Sequence, residues 1–109
     1  MTDAERALSN LGLARRAGKV VSGDEGVMNA IRNGSAKLVL VATDASVNAL
    51  KKYRDKCKFY GVPIIAAFSR RQLGHSVGKA ERVAVAVTDP GLSELVRRCL
   101  ANHAEEELY

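Results

Sequence analysis

The residues best placed for chemistry in this chain are two acids at the start of a helix. Val20-Val21 reads as the end of a short apolar strand beginning at Lys19, and Ser22-Gly23-Asp24-Glu25 follows it directly. Several kinds of chemistry fit. Ser22 and Glu25 have the spacing of a capping box, in which hydroxyl and carboxylate satisfy each other's backbone donors. Acids there also suit the positive end of a helix. Beyond capping, a glycine ahead of a helix leaves backbone N–H groups open to a phosphate or a base edge. A neighbouring carboxylate can then accept from an exocyclic base amine. Asp24 and Glu25 are adjacent, so they do not face one site as an acid/base pair. The stretch "GDEGVMNAIRNG" lacks the Lys-Ser/Thr that a phosphate-cradling loop places on a nucleotide and its magnesium.

A second candidate surface is "SRRQLGHSVGKAERVAV", Ser69 to Val85. Gly74 sits inside a short helix, where glycine is a poor choice, so it requires either close packing or a ligand approaching the backbone. The following loop, Gly78 to Arg82, carries Lys79 and Arg82. His75 and His103 have no acid or nucleophile near them in sequence, and neither a nucleophile elbow nor a dinucleotide-binding turn is present. Cys57 and Cys99 form no CxxC pair and fall on apolar helical stripes, so both are expected to be reduced core thiols. No metal site and no cofactor are expected.

These residues must be held by elements the sequence also announces. Thr2-Asp3-Ala4-Glu5 is a capping box for a first helix that Gly18 closes. A second helix follows Ser22, buries Val27, Ala30 and Ile31, and ends at Gly34. Leu38 to Ala42, "LVLVA", is apolar at every position, as in a strand covered on both faces. Asp44 or Ser46 opens a third helix with the stripe Leu50, Tyr53, Cys57 and Tyr60, stopped by Gly61 and Pro63. Ile64 to Phe68 is a third strand. Ser69-Arg70-Arg71-Gln72 caps a short helix through Val77, and Val83 to Val87 is a fourth strand. Asp89-Pro90 starts a last helix with Leu92, Leu95, Val96, Cys99, Leu100 and His103 on one side. The strict alternation of helix and strand predicts a largely parallel or mixed sheet between two helical layers.

Length and composition agree with one globular unit over residues 1–109. A chain of 109 residues with 47% apolar and 27% charged positions is long enough for an ordinary core. No apolar run approaches the roughly 18 residues of a membrane span, and the N-terminus lacks the plan of a signal peptide. A cytoplasmic location and no membrane partner are expected. The net charge is +5 and uneven: Arg6 to Lys58 holds eleven Lys or Arg against four acids, while Glu105-Glu106-Glu107 is acidic. That asymmetry suits an anionic partner, nucleic acid first.

The ordered set of a Gly-led turn at Gly23, "RNGSAKLVLVATDA" (Arg32 to Ala45), "CKFYGVPI" (Cys57 to Ile64), "RRQLGHSVGK" (Arg70 to Lys79) and "VAVAVTDPG" (Val83 to Gly91) resembles the L7Ae/L30e ribosomal-protein family, and its small bacterial members most of all. The resemblance implies a three-layer α/β/α sandwich with a four-stranded mixed sheet that binds kink-turn RNA. It implies that the Gly-led helix start meets the sheared G·A pairs of such an RNA, while the second loop packs on bases flipped out at the bend. By position, the first surface is Gly23, Asp24, Glu25 and Asn29. The second is Leu73, Gly74, Lys79, Ala80 and Arg82, with Thr43 and Asp44 between them. Two departures stand out. Asn29 replaces a lysine of the broader family, and Lys79-Ala80-Glu81 replaces an apolar-acid-apolar tip. Taken together, these features predict a non-enzymatic, monomeric RNA-binding protein of the ribosome or ribonucleoprotein class. In it Lys19, Arg32, Lys79 and Arg82 contact phosphates, Asp24 and Glu25 read purine edges, and Leu73 with the loop packs on unstacked bases. The alternative is a protein-interaction module on the same scaffold.

Overall fold

The computed structural model describes residues 1–101 and 106–107. Five helices alternate with the four expected strands: α1 (Asp3–Arg16), β1 (Val20–Ser22), α2 (Asp24–Arg32), β2 (Leu38–Val41), α3 (Val47–Tyr60), β3 (Ile64–Ala66), α4 (Arg70–Ser76), β4 (Ala84–Val87) and α5 (Pro90–Leu100). A two-residue β5 (Glu106–Glu107) adds to the edge of β3. The sheet order is β1-β4-β2-β3-β5. Among the described residues only β2 and β3 pair parallel; β4 runs against both β1 and β2. The sheet is therefore mixed, with helices on both faces.

Strand alternation divides the core between those faces. Leu38, Leu40, Ile65, Val85 and Val87 point to one side, where they meet Ala7, Leu11 and Ala14 of α1, Leu73 of α4, and Val96 and Leu100 of α5. Val39, Val41, Ile64, Ala66, Ala84 and Ala86 point to the other and meet Val27, Met28 and Ile31 of α2 and Tyr53 and Cys57 of α3. This is why "LVLV" is apolar at every position: each residue has a helix to cover it. Truncating a residue such as Leu40, fully buried, costs about 2–5 kcal/mol.

Side-chain caps fix four of the helix starts. Thr2 with Glu5 and Ser69 with Gln72 form complete capping boxes. Ser46 and Asp89 accept from Ala49 and Leu92 respectively. Ser46, not Asp44, is thus the cap of α3. The expected box at Ser22 does not form. Ser22 remains in the sheet, opposite Val85, and this leaves Gly23 as the N-cap of α2, with no side-chain cap hydrogen bond.

Other expectations shift as packing takes precedence over pattern. Strand β3 ends at Ala66, and Phe68 bends away with φ 69°. Tyr60 and Leu95 lie on the expected stripes yet are 42% and 44% exposed. They sit at the edge of each helical contact, and Ser93 is buried on α5 instead. Cys57 is buried, whereas Cys99 is half-buried and accepts a hydrogen bond from Asn10 Nδ2 across α1 and α5; neither is in a disulfide. His75 is exposed. His103 and Glu105 lie outside the described residues.

Candidate nucleic-acid interface

Strand direction gathers the candidate loops at one end of the sheet. Ser22 lies opposite Val85, and Val41 lies opposite both Ala84 and Ala66. The chain therefore leaves β1, β2 and β3, and enters β4, at the same edge. The Gly23 turn, the Ala42–Ser46 loop, the Ala67–Ser69 loop and the segment 78–83 meet there. The amino ends of α2, α3 and α4 point the same way, and such ends favour anions.

The Gly23 corner is open. Its backbone lies at φ 91° and ψ 152°, a region essentially restricted to glycine, and a Cβ built on it would meet nothing within 4 Å. Gly26, one turn into the helix, has a different reason. Its Cβ would come 2.7 Å from Val21 Cγ1, so α2 lies tight on β1.

Asp24 is tied to α3. Its Oδ1 accepts from Tyr53 OH at 2.5 Å and pairs with Lys52 Nζ. The hydrogen bond from Lys52, followed by that from Tyr53, holds its carboxyl below the usual aspartate value. Burial, reinforced by Asp24, pushes the Tyr53 hydroxyl well above its ordinary range. The Lys52 ammonium also stands 5.0 Å from the centre of the Tyr53 ring. One oxygen of Asp24 is thereby committed to holding the helix start, while Glu25 is exposed on the first turn. Asn29 Oδ1 accepts from Arg32 Nη1 at 3.2 Å, so the guanidinium of Arg32 lies beside Asn29.

The second surface is built differently. Gly74 is buried, and a Cβ on it would fall 2.6 Å from Glu81 Cα and 2.8 Å from Ala80 C. The loop backbone lies directly on α4 and is held there by Lys79 N to Gly74 O (2.8 Å) and Arg82 N to Arg70 O (3.0 Å). Of the two reasons for this glycine, close packing holds. Leu73 is 0% exposed within the core. Leu73 and Gly74 are thus both buried in this arrangement, and the side chains open to solvent on this surface are those of the loop. Lys79, Ala80 and Glu81 are exposed. Gly78 (φ 75°) lies under the Arg15 guanidinium.

Arg82 joins the two surfaces. Its Nε donates to Ser22 Oγ at 3.2 Å and its Nη1 to Glu81 O at 2.8 Å. Gly23, Asp24, Lys52, Tyr53 and Arg82 line one cleft of about 350 Å³. Thr43 and Asp44 stand at the same sheet end. Thr43 Oγ1 donates to Phe68 O at 3.1 Å, which ties β2 to the positive-φ corner after β3. Asp44 Oδ1 accepts from Arg70 N at 2.9 Å, and Arg70 Nε lies 3.6 Å from Asp44 and 3.9 Å from Glu81.

Two candidates fall outside this grouping. Lys19 precedes β1, and its carbonyl accepts from Thr88 N, which places it at the opposite end of the sheet. Arg32 closes α2, about 12 Å along the helix axis from Asp24. Conversely, Lys52, Tyr53, Arg70 and Arg15 belong near the site and were not singled out for it in sequence. For Lys52 the available signal was its place in a run of five cations on one helix.

The chain belongs to the ribosomal protein L7Ae/L30e/S12e/Gadd45 family, whose sequence profile matches residues 5–97. It is 57% identical over 83 residues to the RNA-binding protein YlxQ of Bacillus subtilis (strain 168), covering 76% of this chain and 83% of that protein. It is 38% identical over 96 residues to the RNA-binding protein YlxQ of Enterococcus faecium, covering 88% and 92%. Among solved structures, a protein of unknown function from Bacillus halodurans C superposes with a TM-score of 0.83 at 39% identity, covering 87% of this chain and 96% of that one.

Proposed function

We propose that this protein binds structured RNA, of the kink-turn or a similarly bent kind, through the end of the sheet where α2 begins. The reading rests on one observation above all. The first turn of α2 is open and has no side-chain cap, and it shares a cleft with Lys52 and Arg82. The names of the two bacterial relatives support RNA as the partner.

In this mechanism the amides that follow Gly23 donate to a phosphate or base edge that the bare glycine allows to approach. Glu25 accepts from an exocyclic amine, and the free amide of Asn29 donates beside it. Asp24 acts mainly as a positioning residue, fixing the helix start to Tyr53. Lys52, Arg82 and Lys79 face phosphates, with Lys19 and Arg32 reaching only an RNA that extends along the sheet. The exposed Ala80 and the stem of Lys79 take the role of packing on an unstacked base. Thr43 and Asp44 brace the loops that frame the bend. The protein works as a monomer in the cytoplasm, in a ribosomal or ribonucleoprotein setting, without cofactor or catalytic step.

The test is a gel shift with a kink-turn stem and a plain duplex of equal length, over a range of salt. The bent stem is expected to bind more tightly at every salt concentration. Lys79→Ala is expected to flatten the salt dependence by about one phosphate contact for both RNAs. Equal affinity for the two RNAs would reduce the interaction to generic electrostatics. No binding to either would favour a protein-interaction module.

A further inference from the structure

Helix α3 carries a second feature that the cleft at Gly23 does not use. Lys51, Lys52, Arg54, Lys56 and Lys58 stand on it against the single acid Asp55, which already pairs with Lys51 at 2.9 Å and Arg54 at 3.7 Å. At its carboxyl end the Phe59 ring is 81% exposed and Tyr60 42% exposed. Their centroids are 4.9 Å apart at an interplanar angle of 71°. These are two of only five aromatic residues in the chain, and nothing in the core requires them at the surface. Lys52, Asp55, Lys56, Phe59 and Tyr60 line a groove of about 450 Å³. Their spacing (i, i+3, i+4, i+7, i+8) puts them on one stripe of the helix, about 12 Å long. Lys52 also lines the cleft at Gly23, so the groove and the cleft adjoin at that side chain.

We infer that this groove is an extension of the RNA site that takes a short unpaired strand leaving the structured region, with a base stacked on Phe59 and its phosphate held by Lys56. The inference rests on the RNA-binding reading above. Charge and chemistry favour that occupant over an acidic protein segment. Cations interleaved with exposed rings match a polymer that alternates anionic phosphates with flat π-faces, and every base offers such a face. The lone acid is neutralised by two neighbours, so it does not repel a phosphate strand. Adjacency at Lys52 puts the groove within reach of a strand leaving the first site.

The test compares a blunt bent stem with the same stem carrying a short oligoadenosine tail at either end, together with the free oligoadenosine. Wild-type protein should bind one tailed stem about tenfold more tightly than the blunt one, the gain expected of one well-stacked base. Phe59→Ala should abolish that gain and leave the blunt stem unaffected, while Phe59→Tyr should retain it. Lys56→Ala should reduce it. Phe59 is so exposed that its truncation leaves the fold intact, which circular dichroism of the variant verifies. No gain from either tail, or a gain that survives Phe59→Ala, overturns the inference and leaves the first site standing. Binding of the free strand with the same Phe59 dependence, but no binding of the blunt stem, overturns the first site and keeps the groove. Binding of neither overturns both. Sedimentation at the same concentrations covers a further outcome: a dimer lost in Phe59→Ala would assign the groove to a second copy of the chain and overturn the inference.

Discussion

Gly23 and Gly74 are both glycines at the borders of candidate RNA-binding surfaces, and the fold uses them in opposite ways. Gly23 is required by conformation: its φ is 91°, and the space around its missing Cβ is empty. Gly74 is required by space: it lies within a helix, and the backbone of Glu81 occupies the place of its Cβ. Only the first leaves a main chain that a ligand can touch. The second holds a loop in place and leaves contact to the side chains of that loop. A glycine that breaks a local rule is therefore not by itself a sign of binding; its surroundings decide.

The largest effect is expected beside Gly74. Leu73→Ala should cost about 2–5 kcal/mol of stability in urea unfolding, since the residue belongs to the core. If the variant were instead as stable as the parent but bound RNA poorly, Leu73 would be a base contact after all. Gly74→Ala should follow at about 1–3 kcal/mol, because the clash is with backbone and neither partner yields easily. A melting temperature unchanged from wild type would contradict the packing described.

A smaller effect should appear at alkaline pH on the Gly23 side alone, where Cys57 and Tyr53 lie. Burial pushes the Cys57 thiol up to about 12 from an ordinary 9.0, and Tyr53 is raised from 10.0 by burial and by Asp24. Folding thus favours the protonated form of both groups. Their contribution is complete below the unfolded values and is lost as pH rises toward the folded ones. Stability should hold to about pH 9, then decline as pH rises through the Cys57 range, and more steeply above pH 10 as Tyr53 adds its share. Cys57→Ala should remove the first part of that slope, so an unaltered slope between pH 9 and 10 would exclude the thiol as its source. Gly23→Ala should cost about 1–3 kcal/mol through backbone strain alone, without a clash. Its loss of RNA affinity should exceed that of Gly74→Ala once each is compared at a temperature where both are folded.

Much of this architecture is legible in residue patterns because the forces behind it are local. Strands β2 and β4 are apolar throughout since both faces are covered. Thr2, Ser69 and Asp89 sit one residue ahead of the helices they cap. Ser22 misleads because the same residue type also fits a strand end, and pairing with Val85 claims it. The burial of Leu73 is not legible for want of length: a helix of seven residues shows too little periodicity to tell its buried face from its exposed one. The link from Asp24 to Lys52 and Tyr53 spans nearly thirty positions, and Tyr53 reads in sequence as one more member of an apolar stripe. Lys19 illustrates the converse. It lies only a few residues before Gly23, but the intervening strand carries it to the far end of the sheet.

In this reading RNA meets the bare main chain at the start of α2. The most direct measurement is an amide NMR titration of the protein with a kink-turn stem. The N–H signals of Asp24, Glu25 and Gly26 should move first and furthest, together with those of Lys79 to Arg82. If those three amides stay in place while signals elsewhere respond to the RNA, the corner is not the binding site and the account is wrong.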